Sequence, residues 1–147
     1  MGLERRWEFR LSRPLDFFRQ RRTRGLQVDA GEGEVRRGEE VEALVTISSP
    51  EGLGVLEVGV VCTEYYDEES TDSDGDTSRA TVEEIAHEDW QPVEEATGVQ
   101  SIRLAIPADA PFSYQGTCLS FKWELVARGH RSRGLDAQAR SDLSVLP

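Results

Sequence analysis

The feature that most constrains this chain is a period-two alternation of apolar and polar residues. Leu119, Phe121, Trp123, Leu125 and Ala127 place every second side chain on one face, the signature of a half-buried strand. Val41, Ala43, Val45 and Ile47 alternate in the same way with Glu40, Glu42 and Thr46, up to the turn SSPEG. Leu56, Val58, Val60 and Cys62 share one face of a further segment, opposite Glu57, Gly59, Val61 and Thr63. Leu26–Ala30, the group Ile102, Leu104 and Ile106, and the group Ala137, Ala139, Leu143 and Val145 complete the set. Arg79–Glu95 alternates poorly, so it reads as an edge strand with a bulge or break, buried at Val82, Ile85, Trp90 and Val93. PADAPFSYQG is too rich in proline and glycine to pair continuously. About seven strands joined by turn-rich loops predict an all-β fold, an antiparallel immunoglobulin-like sandwich. A parallel βαβ sheet would need helical crossovers that this chain lacks.

Charge divides the chain in two. Its 147 residues suit one domain with a core of its own, and 17 basic against 28 acidic residues give a net charge of −11. Residues 1–24 hold eight arginines against three acidic residues, a net +5, which leaves −16 on residues 25–147. We therefore expect a basic arm over 1–24 and a sandwich over 25–147. The arm alternates from Trp7 to Leu11 like a strand, and Pro14 is placed to open a short helix carrying Leu15 and Phe18. Charges interrupt every apolar stretch, so the arm is no secretory signal, whereas an arginine-rich organellar presequence is opposed only by Glu4, Glu8 and Asp16. Two readings stay open: the arm folds back on the acidic body, or it docks elsewhere through Trp7, Phe9, Arg10, Phe17, Phe18, Arg21 and Arg22. A protein partner suits that second reading better than a membrane surface. No nucleic-acid partner is expected: the acidic body excludes one for the sandwich, and its repulsion of a polyanion counts against one for the arm. No run of about 18 apolar residues exists to cross a membrane as a helix.

The supply of catalytic side chains is small: two histidines, two cysteines and one lysine. His130 sits in the turn-like ARGHRSRG, and His87 among Glu83, Glu84, Glu88, Asp89 and Glu94. A thiol–imidazole pair from Cys62 or Cys118 has no nucleophile motif around it. No catalytic residue and no cofactor is assigned, and we expect a protein that is not an enzyme. Strand parity turns Cys62 inward and Cys118 outward, so the two should be free thiols, which favours a reducing, cytoplasmic compartment. The acidic stretch DEESTDSDGDTS spaces Asp72, Asp74 and Asp76 like the first ligands of a Ca²⁺ loop, with Glu83 at the twelfth position. Thr77 stands where such a loop needs glycine, which rejects an EF-hand and leaves a looser cation site or a solvated hairpin loop.

IPADAPFSYQGTCLSFKWELVA, from Ile106 to Ala127, resembles the late strands of the arrestin-like proteins, a group of arrestins, a retromer subunit and bacterial sporulation-control proteins. Pro107, Pro111, Ser113, Gly116, Trp123 and Ala127 occupy the positions of that pattern. RRGEEVEALVTI (Arg36 to Ile47), VLEVGVVCTEYYD (Val55 to Asp67) and LSVLP (Leu143 to Pro147) are similar to other strands of the same domain, in the same order. The resemblance covers about residues 25–147 and implies an arrestin-like sandwich, one here where most of the group carry two, with an adaptor or scaffold role in a bacterial setting. Three functional classes follow: an interaction module, a sandwich with a weak cation site, and a self-associating subunit in which the arm of one copy meets the body of the next. We expect the first, docking through the arm and the sheet edges, with self-association as its alternative.

Overall fold

In the computed structural model, which describes residues 25–48, 53–95, 97–131 and 136–147, each alternating segment becomes a strand. In chain order these are β1 (Leu26–Asp29), β2 (Glu34–Arg36), β3 (Glu40–Ile47), β4 (Leu53–Thr71), β5 (Thr77–Pro92), β6 (Gly98–Ala105), β7 (Tyr114–Gln115), β8 (Leu119–Arg131) and β9 (Ala137–Leu146). Among the described residues there is no helix, and none long and apolar enough to cross a membrane. The two strands beyond the expected seven, β2 and β7, are three and two residues long, too short to carry a readable period.

A three-stranded sheet in the order β1-β3-β6 packs on a larger one in the order β2-β9-β8-β4-β5, to which β7 adds alongside β8. Val41, Ala43, Val45, Ile47 and Leu104 enter the core from the first sheet. Leu56, Val58, Val60, Cys62, Trp123, Leu125, Ala127, Leu143 and Val145 meet them from the second. Burying two alternating faces against each other is what makes such strands a sandwich rather than a solvated sheet. Pairing is antiparallel except at one place, where β2 runs parallel to β9. The chain changes sheets between β1 and β2, so β2 reaches β9 from the far side of the core.

The two ends of the sandwich differ. At one end Arg37 N–H donates to the Leu146 carbonyl and Gly38 N–H to the Ile106 carbonyl, and the linker after β6 closes over the core. There the indole N–H of Trp123, 1 % exposed, donates to the Pro111 carbonyl at 2.9 Å. Gly25 lies at the other end, where its carbonyl accepts from Ser48 N–H and Leu26 faces Ile47.

The outer face of the larger sheet is unusually well covered for an exterior surface. Val61, expected to face outward, does so yet is buried, as are Val126, Lys122 and Glu124. The Glu124 carboxylate lies between Lys122 Nζ at 3.6 Å and Arg140 Nη1 at 3.2 Å, so the buried charge is compensated. Trp90 also lies on this face, not in the core where the sequence placed it. Its ring fills the space above Gly59, where a Cβ would come within 2.5 Å, and the Arg128 guanidinium stacks 3.6 Å from its centroid.

Candidate docking face

Strands β4 and β5 are 19 and 16 residues long, against eight for β3 and β6, so the β4–β5 hairpin runs well past the end of the sandwich. Strand β8 accompanies it as far as the pair Tyr66↔Leu119, and β7 flanks β8 through Tyr114↔Phe121. The parity of the core continues outward on this overhang. Directly opposed residues project to the same side of an antiparallel pair, so Trp123, Phe121 and Leu119 share a face with Cys62, Glu64 and Tyr66. That face is the one the three-stranded sheet covers lower down, and among the described residues no strand of that sheet extends over it.

Leu119 and Phe121 were expected in the core. Both keep the inward parity at the margin of the cover: Phe121 is half-buried and packs against the core, as expected, whereas Leu119 is 36 % exposed and Tyr114 beside them is 49 % exposed. Phe112 meets Tyr114 edge-on at 6.4 Å and lies under the Arg37 guanidinium, 5.3 Å from its centroid. An apolar strip of Leu119, Phe121, Tyr66 and Val82 thus runs across β8, β4 and β5, edged by Glu64 and Glu84. The Tyr66 hydroxyl donates to Glu84 Oε1 at 3.0 Å. That hydrogen bond first, then partial burial and the charges of Glu84, Glu68 and Glu64, push its phenol above the usual tyrosine range.

Strand β5 carries the expected irregularity. Cys62 pairs with His87 and Thr63 with Ile85, so Ala86 is the extra residue of a bulge. The bulge resets parity, and this corrects two of the four buried positions expected on this strand. Ile85 turns outward and is 56 % exposed, and Trp90 packs on the outer face; Val82 is half-buried on the overhang and Val93 is buried. His87 takes the inward position instead, its ring 5.7 Å from that of Trp123.

The acidic stretch is paired almost to its tip, with Ser70 opposite Ser78 and Thr71 opposite Thr77, so it is a ribbon rather than an open loop. Asp72 Oδ1 accepts from the backbone N–H groups of Asp74 and Asp76, both at 2.9 Å, and Gly75 takes the φ of +83° that the turn needs. Asp72, Asp74 and Asp76 stay at this tip, whereas Glu83 pairs with Tyr65, six residues of strand beyond Thr77, about 20 Å along β5. The four Ca²⁺ candidates are therefore not brought to one place, and the described residues hold no cluster of three metal-ligating side chains.

Cys62 and His87 face each other across β4 and β5, a juxtaposition the sequence did not reveal. Its chemistry runs against a nucleophile. Burial, followed by the charge of Glu64, pushes the Cys62 thiol up to about 12, so it stays protonated at neutral pH. Cys118 is exposed, and both cysteines are free. His130 is exposed near the end of β8, its Nδ1 2.9 Å from Asp136 Oδ1. The arm residues Trp7, Phe9, Arg10, Phe17, Phe18, Arg21 and Arg22 lie outside the described residues.

The described residues form an all-β sandwich of two packed sheets, and the fold this resembles is the arrestin-like sandwich. Among solved structures the chain is similar to Spo0M, a sporulation control protein from Bacillus subtilis with that fold, at a TM-score of 0.50 and 14% identity. The match covers 82% of this chain and 49% of that one, so the chain spans about half the length of the structure it matches. No family model and no curated protein sequence matches the chain.

Proposed function

We propose that this protein is a non-enzymatic interaction module, an adaptor or scaffold of the arrestin-like kind, that docks a protein partner through the overhang of its larger sheet, the free edge of β5 and the basic arm over 1–24. The observation that carries this reading is the apolar strip of Leu119, Phe121, Tyr66 and Val82, on a face with the core's parity over which, among the described residues, no strand of the other sheet extends. Contiguous apolar surface of this kind marks an interaction site more often than scattered exposed residues do. Among the described residues strand β5 is the edge of its sheet and offers backbone groups for an added strand. The free thiols and the fold likeness to a bacterial regulatory protein suit a cytoplasmic adaptor in a bacterium.

A photo-crosslinking amino acid at Leu119 tests the reading in the native cell. A defined second protein should be captured, and Phe121→Ser should abolish the capture without unfolding the chain. Capture of nothing, or of an unselective mixture that Phe121→Ser leaves unchanged, would sink it.

A further inference from the structure

We propose that the overhang face has an occupant within the chain itself: the arm over residues 1–24 folds back and docks on it in the same molecule. This rests on the module reading and adds its regulation, since a partner must then displace the arm.

The two surfaces match in both kinds of chemistry. Residues 63–85, the part of the β4–β5 hairpin beyond Cys62, hold nine carboxylates and one arginine, whereas residues 1–24 hold eight arginines and three carboxylates. On the inner face Glu64, Glu68 and Glu84 stand around Tyr66, close enough to raise its phenol together. Glu64 and Glu84 also stand directly opposite each other across β4 and β5, like charges on one face, so an arginine there relieves repulsion as well as adding attraction. Between and beside these carboxylates lie Leu119, Phe121 and Val82, which an aromatic side chain covers. Trp7, Phe9 and Leu11 alternate with Glu8 and Arg10, so an extended arm presents aromatics on one side and charge on the other.

Reach permits the contact. Gly25 lies at the end of the sandwich opposite the overhang, about 26 Å away by the length of the eight-residue β3, while 24 extended residues span about 79 Å. Tethering then raises the local concentration of the arm into the millimolar range, which favours the chain's own arm over that of a second copy.

Cys118, exposed and next to Leu119, supplies the probe, because Cys62 is buried and stays protonated. In the full chain carrying Phe18→Cys, a short bismaleimide should join positions 18 and 118 within one molecule, as a monomeric product identified by peptide mapping. The yield should fall several-fold in Glu64→Gln/Glu84→Gln, in Phe121→Ser and at high salt, with the thermal midpoint and near-ultraviolet spectrum showing that each variant is folded. A dimeric product would overturn docking within one molecule, and no product, or a yield indifferent to the variants and to salt, would overturn docking on this face. Either failure leaves the Leu119 photo-crosslink to a second protein standing, whereas loss of that crosslink with an intact 18–118 link would reject the module reading.

Discussion

The imidazole of His87 lies across the indole of Trp123, ring centroids 5.7 Å apart and planes tilted by 44°, on the last covered step of β8 before the face opens. Its Nε2 is buried and has no hydrogen-bond partner among the described residues. A buried polar atom without a partner costs about 1–3 kcal/mol, and a side chain of similar size without that atom avoids the cost. His87→Leu should therefore raise stability by about 1 kcal/mol, a rise of several degrees in thermal midpoint. Thermal denaturation near neutral pH measures it, and a clear drop in the midpoint would show that His87 holds the end of the core together.

The neighbourhood of His87 also shows why some of the structure was legible and some not. Parity along β8 correctly put Leu119 and Phe121 on the face of Trp123, because the period of a strand is local and fixed by its backbone. Whether a face is covered depends on how far another sheet extends, and nothing in the residues around Leu119 encodes where β6 stops. Ala86 is a second case: the sequence signalled an irregular β5, but which residue is the extra one follows from the register against Cys62 and Thr63. The core positions Val41, Val45, Leu125 and Val145 were readable because both of their faces obey a single rule. The Cys62–His87 juxtaposition was not, since it joins residues from two strands whose register only the bulge sets.

Gly59 offers a direct test of the outer face. A Cβ there would meet the Trp90 ring at 2.5 Å and the Asp89 carbonyl oxygen at 2.9 Å, and the second is backbone that cannot rotate away. Gly59→Ala should cost about 1–3 kcal/mol and lift Trp90 from beneath Arg128. Urea denaturation followed by tryptophan fluorescence reads both effects. Unchanged stability with an unchanged emission maximum would mean that Trp90 is not seated on Gly59.

The carboxylates of the overhang leave a signature in alkaline titration. The hydrogen bond from Tyr66 to Glu84 is the largest cause holding its phenol above 10.0, so Glu84→Gln should bring its ionisation back toward that value. Because the folded-state pKa is the raised one, the associated stability is present below pH 10.0 and is lost as the pH climbs through the folded value. Ultraviolet titration, with Tyr66→Phe as the reference that removes this phenol, resolves the shift among the three tyrosines. An identical Tyr66 titration in wild type and Glu84→Gln would place the cause elsewhere.

The two cysteines should separate under the same conditions. Cys118 is exposed and Cys62 is buried with its thiol pushed up to about 12, so an alkylating reagent should add once to the folded chain and twice in denaturant. Burial opposes the thiolate only in the folded state, while an unfolded thiol releases its proton near 9.0. Ionisation then favours the unfolded chain first: the Cys62 contribution is complete below about pH 9 and is lost as the pH rises toward about 12. Cys62→Ala lowers stability at neutral pH, because it leaves a cavity beside Trp123, but it should flatten the alkaline decline that wild type shows over that window. Urea midpoints at several pH values, compared between the two chains, decide it. Parallel declines, or a second alkylation of the folded chain at the rate of the first, would mean that Cys62 is not shielded beneath the junction of the core and the overhang.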